Sequence, residues 1–128
     1  MKNVRRSSDV REAAAILFLF CLCAAPGYLF AHAYPDHADP RVGSTIAAAP
    51  GRVRVWFDSE LEPLFSAIVV QDAAGKKVDK GDGRVDPADP TLLEVSLPPL
   101  PPGTYRVLWD VVARDTHRTR GDFTFIIK

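Results

Sequence analysis

The segment VRVWF (53–57) sets Val53, Val55 and Phe57 on one side of an extended chain and Arg54 and Trp56 on the other. Side chains of a strand alternate between its two faces, so this spacing describes a strand with one buried face. The pattern recurs on both sides of it. LLEVSL (92–97) opposes Leu93, Val95 and Leu97 to Glu94 and Ser96, and DFTFIIK (122–128) places Phe123, Phe125 and Ile127 together. SAIVVQD (66–72) is a β-branched run that enters the turn AAGKK (73–77). TYRVLWDVVA (104–113) follows PPLPPG (98–103), which is too rich in proline for regular structure. Short period-two segments at even spacing, with no helical periodicity after residue 32, predict an all-β fold, an antiparallel sandwich of about seven strands. DKGDGRVDPADP (79–90) and PPLPPG read as surface loops.

The front of the chain has a different composition. Lys2, Arg5, Arg6 and Arg11 precede the apolar run AAAILFLFCLCAA (13–25), which Pro26 and Gly27 break before a small residue, Ala31. Basic lead, apolar core, helix breaker and small residue in that order describe a secretory signal peptide over 1–31, cut after Ala31. A cut after Ala25 would put Pro26 first, which signal peptidases tolerate poorly. The alternative is an uncleaved anchor facing the exported side, since about 20 apolar residues span a bilayer. Lipid attachment is disfavoured, because Phe20 precedes Cys21 and Leu22 precedes Cys23 where a small residue is needed.

Both cysteines lie in this leader, so residues 32–128 form one cysteine-free domain that must be held by its hydrophobic core. Setting aside the leader's Lys2, Arg5, Arg6, Arg11, Asp9 and Glu12 leaves twelve basic and fourteen acidic residues. That balance offers no basic face for nucleic acid.

Three histidines remain: His32, His37 and His117. In extended structure Asp115 and His117 point to one face, so they can converge on one ion at the end of a strand. A short D-x-H is by itself more often a solvated pair than a metal site. His32 changes the balance if Ala31 is the cut. A histidine at a free N-terminus offers its α-amino nitrogen and its ring nitrogen to the same ion, and an amine with an ordinary pKa of about 7.7–8.0 can shed its proton near neutrality. With His117 and Asp115 the donor set becomes three nitrogens and an oxygen, which suits Cu(II) best among common divalent ions. Zinc is the inorganic runner-up. Cu(I) would want thiolate or thioether, and the only methionine is Met1. His37, in YPDHADP (34–40), reads as an exposed bystander in a flexible lead to the first strand. Trp56 and Trp109 read as packing residues. The acidic group Asp58, Glu60 and Glu62 reads as a solvated loop, with a supporting place around the metal as the alternative.

Residues 32–128 resemble CopC-type copper-resistance domains. The matching pieces are His32-Ala33, Pro40, AAAP (47–50), VRVWF (53–57) and LEPLFS (61–66). The final WDVVARDTHRTRGDFTF (109–125) is similar to the family's closing pattern of Trp, D-G-H, Gly and alternating Phe. The resemblance implies a periplasmic Greek-key, immunoglobulin-like sandwich that binds one Cu(II) per chain through His32, Asp115 and His117. It implies a monomeric carrier or buffer in copper resistance, with an inner-membrane copper transporter of the CopD type as its partner. Some members place an acidic residue near the metal from the segment matching 58–60, which points to Asp58 or Glu60. Thr116 stands where the family pattern has Gly, and the methionine-rich segment of some members is missing.

Two other classes compete with this binding module. A copper-dependent oxygenase also holds its metal with an N-terminal histidine and a second histidine. Asp115 would occupy a position that oxygen needs, and 97 residues leave little room for a broad substrate surface. A metal-free structural sandwich is the third, and it would have equal stability with and without copper.

Overall fold

The computed structural model describes residues 33–128, so the expected leader (1–31) and His32 lie outside the described residues. Eight strands follow in chain order: β1 (Pro35–Asp39), β2 (Thr45–Ile46), β3 (Arg52–Phe57), β4 (Ala67–Gln71), β5 (Arg84–Val85), β6 (Leu92–Ser96), β7 (Gly103–Val112) and β8 (Arg118–Ile127). They make two four-stranded sheets, ordered β1-β3-β6-β5 and β2-β8-β7-β4. Among the described residues no helix is long and apolar enough to cross a membrane.

The alternation read from the sequence is the reason the sheets face each other. Val53, Val55, Phe57, Leu93, Val95 and Leu97 line the inner side of the first sheet, and Ile68, Val70, Tyr105, Val107, Val111, Phe123, Phe125 and Ile127 line the second. Each large side chain buried this way contributes roughly 1.5–3 kcal/mol relative to exposure. Tyr105 stacks on Phe125 across the β7–β8 hairpin, with centroids 5.6 Å apart, and its hydroxyl donates to the Pro101 carbonyl at 2.6 Å. That bond fixes the proline-rich stretch against the end of the sheet.

Four readings need correction. β2 pairs parallel with β8, so the sheets are not wholly antiparallel; the two-residue strand covers the edge that β8 would otherwise expose. The segment around His37 is not a flexible lead but an edge strand, in which only Ala38 turns inward and Asp39 meets Arg54 at 2.7 Å. Proline at or just past its ends, Pro35 and Pro40, is tolerated at an edge. The stretch 79–90 contains β5. Arg118–Asp122, a polar stretch outside the strand segments read from the sequence, is the first half of β8, and its exposed face is closed by cross-strand charges. Asp110 meets Arg118 at 3.2 Å and Arg120 at 2.8 Å, and Asp122 meets Arg106 at 2.8 Å. Glu94 follows the same logic on the first sheet. It points away from the core yet is 8 % exposed, because Arg84 (3.2 Å) and Arg52 (3.6 Å) lie against it.

On the inner face Trp109 lies across Gly121 and meets Phe57 edge-on at 5.3 Å. A Cβ at Gly121 would stand 2.8 Å from the indole Cε2, so a side chain here would have to displace Trp109.

Candidate metal centre

The β7–β8 hairpin closes through Ala113–His117. Thr116 N–H donates to the Ala113 carbonyl at 2.8 Å, and Ala113 N–H donates to the His117 carbonyl at 2.9 Å. Three residues therefore bridge the strands, a loop whose last residue adopts the left-handed conformation. That residue is Thr116, with φ +78°. Glycine reaches this region without penalty, whereas a β-branched residue is strained there by about 1–2 kcal/mol. The position where the family pattern has Gly is thus the one whose backbone asks for it.

Within this turn Asp115 folds back. Its Oδ1 accepts the His117 N–H at 3.1 Å, and its Oδ2 lies 3.2 Å from His117 Nδ1. The two side chains do converge, but through this turn and not through the i, i+2 alternation of a strand. The side chains are 32 % and 37 % exposed, while His117 Nδ1 itself is buried in the turn. A separation of 3.2 Å is also the span of two adjacent donors on one ion with bonds of about 2.0–2.2 Å. The pair therefore fits a metal as a two-donor bite. Among the described residues no cluster of three or more His, Cys, Asp or Glu is suited to hold a metal ion.

The surroundings place other elements beside the pair. Thr119, two residues beyond His117 and on the same face of β8 as Phe123, donates its hydroxyl to the Ala33 carbonyl at 2.6 Å. Ala33 itself is fully buried. On the other side, Leu61 bridges to Ala113, and Arg114 N–H donates to the Glu60 carbonyl at 3.0 Å. Glu60 and Arg114 also form an ion pair through their side chains. Asp58 accepts the Tyr34 N–H on Oδ1 at 2.8 Å, and its own N–H donates to the Tyr34 carbonyl at 2.9 Å. The contacts of Asp58 and Glu60 seen here are thus with the chain at 34 and with Arg114. Sequence reasoning missed Thr119; the two-residue step from His117 was the signal that would have found it.

His37 stands apart. It lies flat on Trp56, with centroids 4.4 Å apart and planes 10° from parallel, and its Nδ1 is 2.8 Å from Asp36 Oδ2. Arg54 covers the same indole at 5.3 Å. This is an exposed stack on the outer face of the first sheet.

The class defined by these features is a small two-sheet β-sandwich with a carboxylate–imidazole pair at one end. Residues 36–128 match the CopC domain family, and the chain belongs to it. It is 31 % identical to the copper transport protein CutJ of Bacillus subtilis over 88 % of this chain, a match that takes in 21 % of CutJ. Two solved structures share the fold. One is CopC from Methylosinus trichosporium OB3b, with TM-score 0.68 and 30 % identity, covering 76 % of this chain and 94 % of that one. The other is PcoC, a methionine-rich copper resistance protein from Escherichia coli, with TM-score 0.66 and 32 % identity, covering 77 % and 100 %.

Proposed function

We propose that this chain is a copper-resistance protein of the periplasm, a carrier or buffer that holds one Cu(II) as cargo. The ligands in this reading are the amine and ring of His32 at the mature N-terminus, with Asp115 and His117. The observation that carries it is the anchoring of Ala33. One peptide bond separates Ala33 from His32, and Ala33 is tied by Thr119 to β8, the strand that begins directly after His117. That hydrogen bond supports the reading, because Thr119 is two residues from His117 and the bonded Ala33 is the next residue after His32. Nitrogen donors with a single carboxylate favour Cu(II), and a chain whose only methionine is Met1 has no thioether donor beyond position 1 for Cu(I).

The fold performs two tasks in this reading. The turn 113–117 pre-sets Asp115 against His117, so little ordering is needed when the ion arrives. The sandwich holds the two chain segments in register without taking part in chemistry. Delivery to a membrane copper transporter of the CopD type is the partner role this reading assigns to a monomeric carrier. It is supported by the occurrence of the same domain within a longer copper transport protein, CutJ.

The test has two parts. The mass of the exported protein reports whether it begins at His32. Electron paramagnetic resonance of the copper-loaded protein is expected to give a type 2 signal with nitrogen couplings that weaken in His32→Ala. A chain that retains residues 1–31, or a signal unchanged by that substitution, overturns the ligand set.

A further inference from the structure

We infer that Thr119 and Asp58 are positioning residues that set the metal affinity by clamping the backbone at Ala33–Tyr34. The inference rests on the ligand set proposed above; it gives the acidic position expected at Asp58 a backbone role and adds Thr119, neither of which hydrogen-bonds Asp115 or His117 among the described residues.

The clamp has two jaws. On the β8 side, the Thr119 hydroxyl donates at 2.6 Å to the carbonyl of Ala33, a residue with no solvent exposure. A buried carbonyl needs a partner, so this bond is a requirement of the folded state and not a decoration. On the other side, Asp58 and Tyr34 exchange two bonds: Tyr34 N–H to the carboxylate at 2.8 Å, and Asp58 N–H to the Tyr34 carbonyl at 2.9 Å. Asp58 directly follows β3, and Thr119 lies in β8, so the two jaws belong to different sheets. The segment is therefore held across the mouth of the sandwich, between its layers.

The consequence for binding is preorganisation. A donor carried on an untethered chain end must be ordered when the ion binds, and that ordering opposes binding. A donor that starts from a clamped residue has most of it already done. Groups that orient ligands without touching the metal commonly change metal affinity by about 10–100-fold. Thr119 and Asp58 occupy that position for the residue preceding Ala33.

The experiment uses the exported chain, with its N-terminus verified by mass, and Cu(II) itself as the probe in a competition titration. Thr119→Val keeps the shape and removes the donor; it is expected to weaken Cu(II) binding by about tenfold or more. Thr119→Ser keeps the hydroxyl and is expected to restore most of that loss. In a His32→Ala background only the terminal amine is left for the clamp to position, so Thr119→Val is expected to cost clearly less than in the parent chain. Equal losses in both backgrounds, or no loss in either, overturn the inference. His32→Ala without effect on its own overturns the ligand set, and that comparison does not involve Thr119. Should Thr119→Val fail to fold, Asp58→Ala, at an exposed position, is read in the same cycle. Hydrogen exchange at Tyr34 N–H in the metal-free chain supplies a second readout. Faster exchange in Asp58→Ala supports the clamp, and unchanged exchange overturns it.

Discussion

Two histidines of this chain make the same local contact and sit in different worlds. His37 and His117 each bring Nδ1 close to an aspartate Oδ2, at 2.8 Å from Asp36 and 3.2 Å from Asp115. His37 does so on an edge strand, flat against Trp56, with 60 % of its side chain exposed. His117 does so in a turn at the mouth of the sandwich, beside the buried start of the described chain. An Asp–His contact therefore does not by itself set His117 apart from His37. What differs is the further structure the fold delivers to each: an indole face in one case, a clamped backbone in the other.

The comparison breaks most visibly under substitution of the two histidines. His117→Ala or Asp115→Ala is expected to weaken Cu(II) binding by about 100-fold or more, beyond the range of merely orienting groups. His37→Ala is expected to leave affinity within about threefold, with isothermal titration as the measurement; equal losses would erase the distinction. A smaller effect is expected on the scaffold behind the His117 turn. Gly121→Ala pushes a methyl into Trp109 and is expected to destabilise the fold by about 1–3 kcal/mol in urea denaturation. Thr116→Gly works in the opposite direction. Releasing a β-branched residue from φ +78° is expected to stabilise the chain by about 1 kcal/mol or less, after the added freedom of unfolded glycine, while Cu(II) binding persists.

The smallest effect is an acid limb, and it belongs mainly to the Trp56 side. The hydroxyl and then the N–H of Thr91 hold Asp89 below its ordinary 3.8, and Ser96 does the same for Asp82 through its side chain and backbone. On the second sheet Arg106 lowers Asp122. A carboxylate lowered in the fold gives stability that is complete above its unfolded value and disappears as pH falls through the folded one. Thermal midpoints are therefore expected to hold down to about pH 4 and to drop below it. In Asp89→Ala the drop is expected to be shallower, and an unaltered profile would count against the Thr91 contact.

Much of the fold was legible because burial enforces period two. β3, β6 and the second half of β8 follow their inward residues Val53 to Phe57, Leu93 to Leu97 and Phe123 to Ile127. What alternation does not announce is a strand whose visible face is charged. Arg118–Asp122 looks like a loop until its partners Asp110 and Arg106 are known, and those come from a different part of the chain. β2 and β5 are two residues each, too short for any period to register. The site divides in the same way. Asp115 and His117 were legible as a pair, but their meeting depends on a left-handed residue at Thr116, which alternation cannot express. Thr119 and Asp58 act through backbone groups of Ala33 and Tyr34, and backbone partners leave no trace in residue types.

The place of β8 in its sheet has a temporal consequence. Ribosomes release a chain from its N-terminal side, so Arg118–Ile127 is the final strand to become available. Yet it lies between β2 and β7, supplies Phe123, Phe125 and Ile127 to the core, and holds Ala33 from more than eighty residues away in sequence. Until those ten residues emerge, the second sheet lacks its middle and β2 has nothing to pair with. The sandwich is built like an arch whose keystone is delivered last, and its second sheet cannot close until then.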